Sequence, residues 1–247
     1  MEYLKFFDIE DNYLAYRDNK NKYVKPNVSF VYDNKEVYYN YTPAPLVTYD
    51  YVDLGLPSGT KWATMNVGAS KPSDAGLYFQ WGDTQGYTAD QVGTGDGKKK
   101  FSSDWSDYKW NPSGDGETFT KYATTGAILE LEDDAANANM GGDWHMPTPV
   151  QIKELISNTT RKWATLDGVS GIAFTSKKDT SKSIFIPAAG YTWDGTLVDS
   201  GSSGSIWSSS LSEDYTDYGD YLNFYSRSAT LYDGARYNGR SVRGVIG

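Results

Sequence analysis

Cysteine is absent from this chain of 247 residues. Its absence removes a disulfide framework, a thiolate metal site and a thiol nucleophile from consideration. Histidine occurs once, as His145, so a multi-histidine zinc site is excluded and a single general base is left for hydrolytic chemistry. That residue sits between Trp144 and Met146-Pro147, where a packed structural ring is expected, and no nucleophile-elbow pattern accompanies it. No apolar run approaches the length of a membrane span. The start, Met1-Glu-Tyr-Leu-Lys-Phe-Phe7, carries an early acid and no long apolar run behind it, so no secretory signal is visible. Basic residues are outnumbered, 23 against 32 acids, for a net charge of −9. Nucleic acids and anionic membranes call for a basic face, so neither is an expected partner.

Aromatic residues are plentiful. They make up 15% of the chain and offset a hydrophobic content of only 38%, which points to a folded aromatic-rich β or α+β protein. Between Leu211 and Gly239 tyrosines recur among Ser, Asp, Gly and Asn: Tyr215, Tyr218, Tyr221, Tyr225, Tyr232 and Tyr237. This is the composition of antibody contact loops, in which stiff Tyr rings give contact area at low entropic cost and small polar residues give adaptable hydrogen bonds.

Two units are expected. Residues 1–45 read as a small β unit, with alternating Val28, Phe30, Tyr32 and Val37, Tyr39, turns at Asp18-Asn19-Lys20 and Asp33-Asn34-Lys35, and a stiff linker at Thr42-Pro-Ala-Pro45. Residues 46–247 form the main domain, with no repeat of solenoid or propeller period. Within it, Thr148-Pro149-Val150-Gln151 has the cap, the first-turn proline and the capping-box glutamine of a helix start. With Ile152, Leu155 and Ile156 on one face, a helix over about 149–157 follows. A second short helix is expected to begin in Glu132–Ala136 and a third in Ser73–Leu77. Ile172–Phe174 and Ser183–Ile186 read as a hairpin, and in Tyr221–Tyr225 the alternation sends Leu222 and Phe224 inward. The stretch from Gln85 to Thr118 reads as a long loop. Within it, Gly93–Lys98 mimics a phosphate loop only superficially, because Val92 stands where the first glycine is required.

Short motifs form one ordered set: Leu54-Gly-Leu-Pro-Ser-Gly-Thr-Lys-Trp-Ala63, Asn66-Val-Gly68, Tyr78-Phe-Gln-Trp-Gly82, Glu132-Asp-Asp-Ala-Ala136 and Gly141-Gly-Asp-Trp-His-Met-Pro-Thr148. Ile184-Phe-Ile-Pro-Ala-Ala-Gly-Tyr191, Trp207-Ser-Ser-Ser210 and Ser241-Val-Arg243 continue it. Over roughly residues 50–247 this set resembles the C-type lectin-fold surface and phage domains of Bacteroides-type bacteria, and more narrowly the variable proteins of diversity-generating retroelements. Lys25–Phe30 also resembles lead-in modules of such phage proteins. The resemblance implies an α+β, C-type lectin-like fold of the formylglycine-generating-enzyme-like subclass. The oxidases of that subclass depend on active-site cysteines, which this chain lacks, so no enzyme activity is expected. His145 is a departure, since relatives usually carry Arg there, and any salt bridge of that Arg is in doubt.

In that family a fixed scaffold presents a C-terminal segment, here about 206–243, altered by adenine-directed mutagenesis. Diversified Asn codons do not yield Lys, Gln, Met or Trp, and all four are absent between Ser212 and Arg240. The implied exposed binding positions are Ser212, Asp214, Tyr215, Thr216, Asp217, Tyr218, Tyr221, Asn223, Tyr225, Ser226, Tyr232, Asp233, Tyr237 and Asn238. Leu211, Leu222, Phe224, Arg236, Ser241, Val242 and Arg243 are implied scaffold. Asp214, Asp217 and Asp220 offer oxygen ligands for calcium, but the sugar-binding motifs of calcium-dependent lectins are missing and no metal or cofactor is expected. The implied function is attachment to a glycan or protein receptor on a bacterial surface, from a phage fibre or a cell surface. The 1–45 unit would join a larger assembly or homo-oligomer, with a trimer as one form. The alternative is a structural domain whose C-terminal face packs on a sister subunit.

Overall fold

The computed structural model describes the backbone of Asn27–Tyr32 and Lys35–Asn40 and, with side chains, residues 49–92, 101, 105–193 and 195–247. Residue contacts divide the chain into two compact units, 1–48 and 49–247. In the first, β1 (Asn27–Tyr32) and β2 (Lys35–Asn40) pair antiparallel, with Val28 opposite Tyr39 and Phe30 opposite Val37. The expected turn at 18–20, residues 33 and 34 of the other turn, Lys25-Pro26, the linker at 42–45 and the Gly93–Lys98 loop lie outside the described residues. Among the described residues no helix is long and apolar enough to cross a membrane.

The second unit runs β3 (Tyr51–Val52), β4 (Lys61–Ala63), β5 (Tyr78–Phe79), α1 (Ala135–Met140), α2 (Pro149–Asn158), β6 (Thr159–Leu166), β7 (Val169–Ser176) and β8 (Ser183–Pro187). It continues with β9 (Tyr191–Trp193), β10 (Thr196–Val198), β11 (Ser203–Leu211), β12 (Tyr218–Tyr225), β13 (Ser228–Ala235), β14 (Arg240–Ser241) and β15 (Val245–Ile246). The largest sheet has the order β13-β12-β11-β14-β5. Three-stranded sheets β15-β4-β3 and β6-β7-β8 and the β9–β10 hairpin surround it.

Local chemistry accounts for the helices. Thr148 Oγ1 accepts from Gln151 N and the Gln151 side chain accepts from Thr148 N, which closes the capping box ahead of Pro149. Ile152 and Leu155 then face the core. Asp134 caps α1 by accepting from Asn137 N at 2.9 Å and also accepts from Met146 N at 2.8 Å. The helix expected at Ser73–Leu77 does not form. Gly76 has φ of +73°, the left-handed region that breaks a helix, and an added Cβ there would lie 2.4 Å from Val67 O. The hairpin at 172–174 and 183–186 is present, with Ile172 opposite Ile186 and Phe174 opposite Ile184.

Two apolar clusters sandwich the large sheet. One joins α2 (Ile152, Leu155), β7–β8 (Ile172, Phe174, Ile186) and the sheet residues Ile206, Leu222 and Phe224. The other holds Trp81, Trp144, Met146, Trp207, Leu211 and Val242. Each large side chain buried this way contributes on the order of 2 kcal/mol. Because Ile206 and Trp207 point into different clusters, β11 is covered on both faces.

The motifs of the sequence converge here. Arg243 Nε donates to Asn66 Oδ1 at 2.8 Å, Nη1 to Ala63 O at 2.8 Å and Nη2 to Phe185 O at 3.0 Å. Trp81 Nε1 donates to Ser208 O, and Trp207 Nε1 donates to Phe79 O. His145 pairs its backbone with Val245 and sets Nδ1 2.9 Å from Met146 O.

Candidate functional site

Strand β12 turns back into β13 through Ser226-Arg227, with Tyr225 opposite Ser228, Asn223 opposite Thr230, Tyr221 opposite Tyr232 and Gly219 opposite Gly234. Directly opposed residues share a face of the sheet. One face therefore carries Tyr221, Asn223, Tyr225, Thr230 and Tyr232. The other carries Leu222, Phe224, Leu231 and Ala229, packed on α2, and continues toward the start of that helix as Asp220 opposite Asp233.

The outward face has a rigid foundation. The guanidinium carbon of Arg240 lies 3.6 Å from the ring centre of Tyr221, 4.6 Å from Tyr191 and 4.9 Å from Trp207. It is buried, donates from Nη1 to Ser205 Oγ at 3.2 Å, and makes no ion pair among the described residues. Three aromatic faces stand where water would otherwise solvate the cation. Burial pushes its pKa down, but a guanidinium remains charged. The opposed glycines leave the room this needs. A Cβ on Gly234 would come 2.9 Å from Arg240 Nη2, and one on Gly219 would come 2.7 Å from Trp81 Cδ1.

A second anchor sits under the loop before β12. Arg236 is buried and donates to Tyr108 Oη, Tyr122 O, Thr216 O and Lys121 O. Its guanidinium carbon also lies 4.3 Å from the ring centre of Phe119. The loop is therefore held from below while Tyr215 stands open at its crest, its ring 5.4 Å from that of Tyr218.

The fourteen expected binding positions divide. Asp214, Tyr215, Tyr225, Ser226 and Tyr232 are exposed, and Thr216, Asp217, Tyr218, Tyr221 and Asn223 are half-buried on the same loop and hairpin. Ser212 and Asn238 are corrected, because both are buried. Ser212 Oγ donates to Asp233 Oδ2 at 2.7 Å and accepts from the N–H groups of Asp214 and Tyr215, so it shapes the loop from inside. Tyr237 is half-buried, its ring edge-on to Trp105 at 4.8 Å. Asp233 lies on the α2 side of the sheet, away from the Tyr221 face. The expected display span of about 206–243 is narrower at both ends, because Ile206–Ser212 and Asn238–Arg243 are buried. The residues expected as scaffold, Leu211, Leu222, Phe224, Arg236, Ser241, Val242 and Arg243, are all buried.

Sequence reasoning missed Arg240, Tyr191 and the exposed Trp193, Ile128 and Val150. No local pattern separates Arg240 from Arg227, Arg236 and Arg243 in the same tyrosine-rich stretch. Calcium ligands do not converge at Asp214, Asp217 and Asp220. Among the described residues the one set of three acids close enough to share an ion is Glu130, Glu132 and Asp133. The Lys121 ammonium already sits among those three. Asp220 is the unusual carboxyl, its pKa pushed up to about 6 by burial first and by the charge of Asp233 second.

Set against family models, curated proteins and solved structures, the chain matches none of them.

Proposed function

We propose that this chain is a non-enzymatic binding protein, a C-type lectin-like domain of the kind diversified by retroelements. On this reading its β12–β13 hairpin and preceding loop are shown to a receptor on a bacterial surface. The 1–45 unit attaches the domain to a larger assembly, on a phage fibre or a cell surface.

One observation carries the reading. Tyr225 and Tyr232, 44% and 52% exposed, stand on a hairpin whose opposite face is buried by α2, and Tyr215, 56% exposed, crests the loop before it. Large aromatic rings left open on a rigid support lose little entropy when a partner covers them. Rings of this kind stack on sugars or fill apolar pockets, and central ones contribute on the order of 2 kcal/mol or more. The ordered motifs add support, since Trp62, Trp81, Trp144, Trp207 and Arg243 are all core residues, as a fixed scaffold requires. The test is binding to a glycan array and to whole bacterial cells, comparing the protein with a variant carrying Tyr215→Ala, Tyr225→Ala and Tyr232→Ala. Loss of binding at unchanged melting temperature is expected. Retained binding would remove the receptor site from this face.

A further inference from the structure

A groove of about 600 Å³ runs between the first turn of α2 and the loop-proximal end of the β12–β13 hairpin. Its size falls within the range of about 300–1,000 Å³ typical of ligand sites. Two of its lining residues are apolar and strongly exposed, Ile128 at 61% and Val150 at 74%. Exposed aliphatic side chains beside a concavity offer apolar area that another molecule can cover.

The polar lining is one-sided. Asp220 and Asp233 face the groove as a directly opposed cross-strand pair, an arrangement that like charges disfavour. Glu213 and Asp214 add to it from the loop, and Lys153 of α2 is the single base in the lining. None of these side chains forms an ion pair among the described residues, and the Asp220 carboxyl makes no hydrogen bond there. No three carboxylates of the lining converge closely enough to share a metal ion. The charge that this lining lacks is an organic cation, carried on something with apolar flanks.

We infer that the groove docks a protein receptor segment that presents a Lys or Arg side chain beside an aliphatic one. The cation lies between Asp220 and Asp233, and the aliphatic group lies against Ile128 and Val150. This rests on the binding reading above and narrows the receptor from glycan or protein to protein. The raised pKa of Asp220 adds a pH dependence. The groups facing it are Asp233 on β13, Glu213 and Asp214 on the loop and Lys153 on α2. Below about pH 6 Asp220 takes up a proton, and the attraction for the cation weakens.

The test uses the whole chain and two capped tripeptides, Leu-Arg-Leu and its citrulline analogue, followed by amide chemical shifts at pH 8 and pH 5. The arginine peptide is expected to shift the signals of Val150, Asp220 and Asp233 at pH 8, to bind at least tenfold more weakly at pH 5, and to lose the same factor in Asp220→Asn. Val150→Ser, at an exposed position, is expected to weaken it while leaving the fold intact. Equal binding of the two peptides, shifts elsewhere, or no binding by either would overturn the inference. Whole-cell binding separates the two proposals. Cells lost by the Tyr215, Tyr225, Tyr232 alanine variant but held by Asp220→Asn would sink the groove and leave the binding reading standing. Cells held by both variants would sink both.

Discussion

Strand β11 and the β12–β13 hairpin are neighbours in one sheet and have similarly polar sequences, yet they behave as opposites. Ser203–Leu211 holds five serines, and all but its first residue are buried. In the hairpin, exposure alternates along Tyr221–Tyr225 and again along Ala229–Asp233. Composition does not make this difference. β11 lies between two apolar clusters, with Ile206 in one and Trp207 in the other, so small side chains are needed wherever a large neighbour crosses it. At Gly204 a Cβ would come 2.2 Å from the ring of Phe224. The hairpin is covered on one side, whereas on its other side Tyr221 packs on Trp207 and Arg240 and the stretch beyond, with Tyr225, Thr230 and Tyr232, is left open. A single sheet thus separates closely packed positions from open ones.

Four substitutions sharpen or break this contrast. The largest effect is expected from Trp207→Ala in β11, which empties a fully buried site between Trp81, Tyr221 and Arg240. About 3–5 kcal/mol of stability is expected to be lost, read by chemical denaturation. Gly219→Ala comes next. It sits in the displayed hairpin but belongs energetically to the scaffold, because its Cβ would press on Trp81. A loss of roughly 1–3 kcal/mol is expected, and a neutral result would mean that the indole can shift aside.

Asp220→Asn reports the cost of the opposed carboxylates. The folded pKa of about 6 lies above the usual carboxyl value of about 3.9, so the folded state holds the proton more tightly. Stability from this group is therefore present below about pH 4 and lost as pH rises through 6. The variant is expected to melt above the parent at pH 8 and level with it at pH 4, in parallel thermal scans. Equal melting at both values would show that Asp220 is better solvated than its surroundings imply. The smallest effect belongs to Tyr232→Ala on the open face, within ~0.5 kcal/mol of the parent in the same denaturation assay.

Much of the scaffold was legible in the sequence because its signals are local. The capping box of Thr148 and Gln151 names its own helix, and Leu222 and Phe224 follow from period-two alternation. Strand β6 went unread. Its Thr, Arg and Lys residues dilute the alternation, and it begins directly at the end of α2. The turn that could have revealed it was visible as Asp167-Gly168, both at positive φ and joining β6 to β7. Ser73–Leu77 misled because Asp and Ala suit a helix start, whereas Gly76 and its approach to Val67 are tertiary facts. For the candidate site, the tyrosines were legible as a group. The burial of Ser212 and Asn238 was not, since a polar residue that shapes a loop from within looks in sequence like one that faces water. Arg240 was hidden for a related reason, because its partners Tyr191, Trp207 and Tyr221 come from three separate strands.

The most direct test of the separation needs no ligand. A saturation library over Ser203–Ala235, displayed and sorted for protease resistance, measures the tolerance of each position in one experiment. The separation predicts that Tyr215, Asn223, Tyr225, Thr230 and Tyr232 accept nearly every side chain, while Gly204, Trp207, Gly219, Leu222 and Phe224 accept almost none. Equal tolerance in the two groups would contradict it, and with it the proposal that this hairpin is a variable surface on a fixed scaffold.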